Sequence, residues 1–159
     1  MKKLHLYLVR HCESLGNREN IFQGQLDLDI SATGEKQLAL LALRFRNIPI
    51  DAVYSSPLKR AYKTAEAVDL YHSLPIIKLP ELMEVDVGAL SGMKLDKAFA
   101  DYPVFAEKWQ NSPQNCIFPE GETTAEVYDR AKKALARVKA DCMGQTAVIT
   151  SHGFLLRCM

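Results

Sequence analysis

Residues 4–19 read LHLYLVRHCESLGNRE and join a predicted strand to a polar segment. The apolar and aromatic run from Leu4 to Val9 predicts a strand that is buried on both faces of a sheet. The segment from Arg10 to Ile30 is polar and rich in Asn, Gly and Asp, which predicts a loop. Because long ordered loops in compact domains usually carry function, the strand end at Arg10 and His11 is a candidate site.

Apolar runs and apolar stripes alternate along the rest of the chain. The runs predict strands, and the stripes, repeated at helical spacing, predict helices. Strands are predicted over 51–55, 75–79 and 146–150. Helices are predicted over 31–45, 56–70 and 123–140, and a further helix begins at 154. One or two short helices are predicted within 94–109. This alternation predicts a single α/β domain over residues 1–159, with helices on both faces of a mostly parallel sheet.

Three of the predicted helices begin with a capping signal. Ser31 can cap the helix that runs to about Phe45. Ser56 followed by Pro57 predicts a side-chain N-cap with proline at the first helical position. Thr123 followed by Glu126 predicts a capping box, in which each side chain bonds to the backbone of the other residue.

The composition of the 159 residues excludes several classes of protein. The net charge of +1 gives no overall attraction to nucleic acid or to an anionic membrane, so neither partner is expected. No apolar run is long enough to span a bilayer or to act as a signal peptide. The four cysteines form no C-x-x-C pair, which predicts free thiols in a reducing cytoplasm. The four cysteines and four histidines do not have the spacing of a zinc site, so no metal is expected.

Three polar clusters follow predicted strands. Arg10 and His11 follow the first strand, Ser55 and Ser56 close the second, and the pair at 151–152 follows the fourth. In open parallel sheets, ligands bind beyond the carboxyl ends of the strands. The three clusters are therefore expected to meet at one edge of the sheet.

Two phosphate-ester chemistries overlap in the first cluster. Cys12 and Arg18 have the C-x5-R spacing of cysteine-dependent phosphatases, in which a thiolate attacks phosphorus and the arginine binds the phosphate. Asp129 is available as the general acid of that route. Glu13 opposes it, because its carboxylate would lie beside the phosphate dianion, and Leu15 is bulky where such loops commonly have glycine.

The second chemistry uses a histidine nucleophile. A neutral imidazole at His11 attacks phosphorus if it is held in one tautomer. Arg10, Arg60 near the start of its predicted helix, and His152, if protonated, would neutralise the transferring phosphoryl group without Mg²⁺. A carboxyl group near the rim would supply the proton that the leaving oxygen needs. The sequence favours this route.

Six blocks of the sequence, in order from residue 6 to residue 158, carry a resemblance to a known family. They are LVRHCESLGN (compare R-H-G-E-[ST]-x-x-N), FQGQLDLDISATGEKQ (G-x-x-D-x-x-L-[ST]-x-x-G-x-x-Q), SSPLKRAYKTA (the segment of the second arginine), LMEVDVGALSG (L-x-E-x-x-x-G-x-W-x-G), PEGET (P-x-G-E-[ST]) and SHGFLLRC (the late S-H-G block). The chain resembles the histidine phosphatase superfamily, the phosphoglycerate-mutase-like group of phosphohistidine enzymes. The resemblance implies a three-layer α/β/α fold of the phosphoglycerate mutase type.

The resemblance also implies the roles of individual residues. It implies that His11 becomes phosphohistidine and that Glu84 donates a proton to the leaving oxygen and then activates water. The residues that it implies around the phosphoryl group and the substrate are Arg10, Arg60, His152, Asn17, Gln23, Gly24 and Gly153. It implies no metal and no cofactor.

The chain departs from the family pattern at three places. Cys12 replaces the glycine after the nucleophile, where a side chain is expected to crowd the phosphate and to be sensitive to oxidation. Leu90 stands where the family often has tryptophan. The sequence ends at Met159, where family members continue, so a fold that lacks its C-terminal elements is expected.

The spacing within the chain favours hydrolysis over mutase chemistry. Mutases of this family resemble longer chains with a larger insertion after the catalytic glutamate, whereas Glu120 follows Glu84 by only 36 positions here. A phosphatase acting on a small phosphorylated metabolite is therefore predicted, with small sugar phosphates, phosphoglycerates and the nucleotide-loop intermediate of cobalamin synthesis as candidate substrates. A phosphoglycerate mutase and a phosphate-binding pseudoenzyme are the alternatives, and no pattern in the sequence indicates an oligomeric state.

Overall fold

Four parallel strands form the sheet of the computed structural model, which describes residues 2–159. They are β1 (His5–Arg10), β2 (Ala52–Ser55), β3 (Ile76–Lys78) and β4 (Thr146–Ser151), in the spatial order β1-β4-β2-β3. The register places Arg10 beside Ser151, and Ser55 beside Thr150. The carboxyl ends of β1, β4 and β2 therefore lie side by side, as the sequence predicts.

Seven α-helices connect and cover these strands in the described residues. They are α1 (Leu15–Arg18), α2 (Ala32–Phe45), α3 (Lys59–Asp69), α4 (Leu95–Asp101), α5 (Pro103–Asn111), α6 (Thr124–Asp141) and α7 (Gly153–Arg157). The predicted alternation of strands and helices is confirmed, including two short helices around Pro103. The polar segment after β1 is irregular apart from α1. None of the helices described has the length and apolar character that crossing a membrane requires.

Two apolar clusters cover opposite faces of the sheet. The side chains of β4 alternate between them: Ala147 and Ile149 pack with a cluster that includes Val138 of α6. Val148 packs instead with a cluster that includes Val68 of α3. This arrangement gives the α/β/α layers and confirms the predicted fold class.

The prediction that the first strand is buried on both faces is wrong. Within the described sheet β1 lies at one edge and pairs with β4 alone. Tyr7 and Leu8 are consequently 38% and 45% exposed. The doubly buried strand is β4, whose residues 147–149 are fully buried. An apolar run indicates a strand but does not indicate its place in the sheet.

One of the three predicted helix starts is wrong. Ser31 caps α2, as predicted, and its hydroxyl accepts the N–H of Gly34 at 3.0 Å. The capping box of Thr123 and Glu126 is present at the start of α6. However, α3 begins at Lys59, two residues after the predicted proline position, and Leu58 occupies the N-cap without a side-chain hydrogen bond. The hydroxyl of Ser56 accepts the N–H of Leu58 at 3.3 Å and lies 2.8 Å from His152 Nε2, but Ser56 is not the N-cap because the helix begins three residues later.

Candidate active site

A cavity of about 240 Å³ opens at the carboxyl edge of the sheet. Eight of the nine residues implied for the site line it: Arg10, His11, Asn17, Gln23, Gly24, Arg60, Glu84 and Gly153. The ninth, His152, is fully buried, and the centre of its ring lies 5.1 Å from that of His11. Four distant parts of the chain therefore converge on one cavity.

His11 is held with one nitrogen free to react. Its backbone N–H donates to the carbonyl of Ser151, which fixes it beside the end of β4. Its Nδ1 lies 2.6 Å from the carbonyl oxygen of Cys12. A carbonyl only accepts hydrogen bonds, so Nδ1 carries the proton and Nε2 has the lone pair. Burial, together with the charges of Arg60 and Arg10, lowers the pKa of His11 to about 4, so the ring is neutral near pH 7.

His152 is a hydrogen-bond donor without being a cation. Its Nε2 lies 2.8 Å from the hydroxyl of Ser56, which already accepts the N–H of Leu58. Within the described residues Nε2 is the one acceptor in reach of the hydroxyl proton, so the hydroxyl is assigned as the donor to Nε2 and the ring proton to Nδ1. Burial, and then the charge of Arg60, hold the pKa of His152 well below its ordinary value. The imidazolium considered from the sequence is therefore not the resting form.

Arg60 binds the loop over the cavity with the ends of its guanidinium. It extends from the first turn of α3 and is 1% exposed. Its Nη1 and Nη2 donate to the carbonyls of Leu26 and Gly24, each at 2.8 Å. Gly24 has a φ of +50°, and a Cβ there would lie 2.7 Å from Val87, so glycine is required at this turn.

Two buried nitrogens at this site have no partner. Within residues 2–159, Arg60 Nε and His152 Nδ1 are the buried side-chain polar atoms that lack a hydrogen bond. Leaving a buried donor unsatisfied costs about 1–3 kcal/mol. Arg60 lines the same cavity as His11, and the ring of His152 lies against that of His11, so both nitrogens belong to the residues that surround one candidate anion site.

Arg10 contributes the second guanidinium of the site. It ends β1 and lines the cavity beside Gly153, the first residue of α7. A Cβ on Gly153 would lie 3.4 Å from Arg10 Nε, at the limit of ordinary van der Waals contact, so the guanidinium lies directly against the start of the helix.

Glu84 is the one carboxyl group in the lining of the cavity. Its Oε1 accepts the N–H groups of Val85 at 3.0 Å and Leu155 at 3.2 Å, and its Oε2 accepts that of Phe154 at 3.2 Å. The carboxyl group is therefore fixed between its own backbone and the start of α7. In this position it can exchange a proton with a group bound in the cavity.

Ser14 supports the two amides of the cavity, and sequence reasoning missed it. Its hydroxyl, which has one proton, donates to Gln23 Oε1 at 2.6 Å, and its backbone N–H donates to Asn17 Oδ1 at 3.1 Å. With these oxygens accepting, the NH₂ groups of both amides are left as donors. The signal was present, since Ser14 and Asn17 form a capping box around α1.

A largely aromatic wall of the cavity was not predicted from the sequence. Its additional large side chains are Phe22, Trp109, Phe118, Phe154 and Arg157. The rings of Trp109 and Phe154 are stacked with their centres 5.6 Å apart. No local pattern could have grouped these residues, because α5, the loop before α6 and α7 meet only in the folded chain. Leu90 is fully buried and does not line the cavity.

The geometry does not support the C-x5-R alternative. The side chain of Arg18 is 58% exposed, pairs with Glu19 at 3.5 Å and does not line the cavity. Cys12 is buried, and burial raises the pKa of its thiol, which disfavours the thiolate. Its backbone N–H donates to Thr64 at 3.1 Å. Asp129 lies on the exposed side of α6.

Known proteins resemble this chain over nearly its whole length. Phosphoserine phosphatase 1 of Hydrogenobacter thermophilus is 40% identical over 154 residues, which cover 97% of this chain and 73% of that protein. A probable phosphoglycerate mutase, GpmB, of Escherichia fergusonii is 31% identical over 156 residues, covering 98% and 73%. The solved structure of Bacillus stearothermophilus YhfR superposes with a TM-score of 0.93 at 28% identity, covering 98% of this chain and 77% of that one.

A family model gives the same assignment as the fold and the individual relatives. The model of the histidine phosphatase superfamily, branch 1, matches residues 6–159, from β1 to the end of the chain described here. The protein belongs to this superfamily of phosphatases and phosphoglycerate mutases.

Proposed function

We propose that the protein is a phosphatase that hydrolyses small phosphate monoesters through phosphohistidine at His11 and needs no metal ion. One observation carries the proposal: the two residues with an unpartnered buried nitrogen, Arg60 and His152, surround the cavity of a neutral imidazole, Arg60 in its lining and His152 with its ring against that of His11. A phosphoryl group placed against His11 would accept from both. Arg10 adds a second positive charge at the same cavity.

The proposed reaction has two steps. In the first, His11 Nε2 bonds to phosphorus while the ester P–O bond breaks, and the Glu84 carboxyl group gives its proton to the leaving oxygen. In the second, Glu84 takes a proton from water, the water oxygen bonds to phosphorus and the P–N bond breaks. Arg10, Arg60 and His152 stabilise the charge on the transferring group in both steps.

Phosphoglycerate mutase chemistry is the second candidate. It would use the same phosphohistidine but deliver the phosphoryl group to a hydroxyl of the substrate. The similarity to GpmB favours this candidate, while the short spacing from Glu84 to Glu120 and the phosphatase relative favour hydrolysis. Incubation with 3-phosphoglycerate separates the two: release of inorganic phosphate supports the phosphatase, and isomerisation supports the mutase.

Arg157 indicates a second anionic group on the substrate. It lines the cavity, is exposed and forms no ion pair within the described residues. A carboxylate is the natural partner of such a guanidinium. Phosphorylated acids, including phosphoserine, are therefore preferred over neutral sugar phosphates. Arg157→Ala is expected to raise KM for phosphoserine about tenfold and to leave KM for p-nitrophenyl phosphate unchanged; equal effects would contradict the preference.

The proposed activity is tested with p-nitrophenyl phosphate in the presence of EDTA. Wild-type turnover is expected to persist, to survive Cys12→Ser and to disappear in His11→Ala. His5→Ala is the matched control, because His5 is an exposed histidine on the same strand. Loss of turnover in EDTA refutes metal independence. Loss in Cys12→Ser with retention in His11→Ala establishes the thiol route, and no turnover in any form favours a binding protein.

A reducing compartment such as the cytoplasm is part of the proposal. All four cysteines are free thiols, and three of them are buried. Cysteines used in this way are typical of reducing compartments. Titration of the freshly isolated, denatured protein is expected to give four reactive thiols, and a disulfide would contradict this setting.

A further inference from the structure

Arg130 uses all of its hydrogen-bond donors on the segment that carries Glu84 and on one carboxylate. Its Nε and Nη2 donate to the two oxygens of Glu122 at 2.7 and 2.8 Å, a bidentate pair. Nη1 donates to the carbonyls of Glu81 and Met83, and Nη2 also donates to that of Glu84, at 3.0 Å. The five N–H groups thus have five acceptors, three of which are carbonyls of one backbone segment.

Glu122 binds the same segment from the other side. Its Oε2 accepts the backbone N–H of Asp86 at 2.8 Å, and its own N–H donates to the carbonyl of Asp86 at 2.9 Å. The side chains of Arg130 and Glu122 are only 16% and 21% exposed. Partial burial of this kind makes a bidentate pair stronger and more rigid than a surface ion pair. Residues 81–86 are therefore held on both sides of Glu84.

The backbone at residue 84 determines where the carboxyl group points. Its carbonyl is bound by Arg130 Nη2 and by Gln25 Nε2, at 3.0 and 3.2 Å. The Glu84 side chain then reaches α7, where Phe154 and Leu155 donate to it. A rotation of this peptide would move the carboxyl group out of the cavity, and misplacement by about 1 Å can cost about 100-fold in rate.

We propose that Arg130, oriented by Glu122, is a positioning residue for the general acid Glu84. This inference rests on the proposed function. Lysine at position 130 would keep the charge, but its single ammonium cannot reproduce a bidentate pair together with three carbonyl contacts. Loss of the arrangement should weaken proton donation while leaving the phosphoryl site of His11, Arg10 and Arg60 intact.

Two aryl phosphates of similar size separate proton donation from the other steps. p-Nitrophenolate leaves without a proton, whereas the more basic phenolate of phenyl phosphate needs one. Arg130→Lys is expected to lower kcat/KM for phenyl phosphate roughly 10- to 100-fold, and that for p-nitrophenyl phosphate less than about 3-fold. Glu122→Gln is expected to give the same selective loss. Arg137→Lys is the matched control, because Arg137 lies on the same helix in an exposed pair with Asp141.

Glu84→Gln gives the reference for a missing acid. It should show the same selectivity between the two substrates, and Arg130→Lys should add no further loss on phenyl phosphate in the Glu84→Gln background. The positioning role would be overturned if Arg130→Lys lowered kcat/KM equally for both substrates. It would also be overturned if the two substitutions lowered kcat/KM for phenyl phosphate additively in the double variant. Equal losses in Glu84→Gln alone would instead refute the acid itself, and the inference with it.

Folding of the variants is followed by circular dichroism and thermal unfolding. If Arg130→Lys does not fold, the kcat/KM values of Glu122→Gln for the same two substrates decide the question. If neither variant folds, the pair is purely structural and the proposal is wrong. Wild-type protein that hydrolyses neither ester would refute the proposed function itself, before any variant is compared.

Discussion

Acid is expected to destabilise the unliganded protein because His11 resists protonation in the folded state. Its pKa is about 4 when folded, against about 6.5 in an unfolded chain. The unfolded chain therefore binds the proton first as pH falls, so stability is complete above pH 6.5 and declines between 6.5 and 4. These two values give a loss of about 2 kcal/mol at pH 5 and about 3 kcal/mol at pH 4.

Urea unfolding of the wild type and of His11→Gln at pH 7.5 and pH 5 measures this loss. Glutamine does not titrate, so the wild type is expected to lose about 2 kcal/mol more than the variant between these values. The buffer must contain no phosphate, because a bound anion would raise the pKa of the ring. His5→Gln is the control, since His5 is exposed on the same strand. If the wild type and His11→Gln lose the same free energy, His11 is not a buried neutral ring and the reasoning fails.

Three further predictions concern the groups around His11. Vanadate at 100 times its Kd should raise the free energy of unfolding by about 2.7 kcal/mol, and Arg60→Met should largely remove the effect; stabilisation that persists in the variant would place the anion elsewhere. Ser56→Ala should lower kcat about tenfold and Ser56→Thr much less, because the hydroxyl sets the tautomer of His152; unchanged kcat in Ser56→Ala would contradict this. Ser14→Ala should lower the free energy of unfolding by about 1 kcal/mol and raise KM, because Asn17 loses its hydrogen bond to the Ser14 hydroxyl. An unchanged KM would show that Ser14 caps α1 without supporting the substrate site.

The meeting of the strand ends at one edge could be predicted from the sequence, because parallel sheets bring strand ends together, whereas Glu84 and the residues of the loop after β1 were expected from the family resemblance. Arg10, Ser55 and Ser151 end their strands in adjacent registers, as the alternation of strands and helices requires. The order of the strands could not be predicted, because it depends on long-range packing. For that reason β1 was expected to be buried on both faces, whereas Tyr7 and Leu8 are partly exposed.

The tertiary contacts that support the site residues could not be predicted from local sequence patterns. Ser56 has the sequence signal of a helix cap, but its hydroxyl also makes a tertiary contact with His152, which is distant along the chain. Arg130 has the appearance of an ordinary helical arginine until α6 packs against the segment at 81–84. Such contacts join elements that are distant along the chain, so residue spacing carries no sign of them.

Rapid quenching of the enzyme with radiolabelled substrate identifies the nucleophile. The label is expected on the peptide that contains His11, stable in base and labile in acid, as a phosphorus–nitrogen bond requires. It should be present in Cys12→Ser and absent in His11→Ala. Label on Cys12, or turnover by His11→Ala at the wild-type rate, would contradict nucleophilic attack by His11.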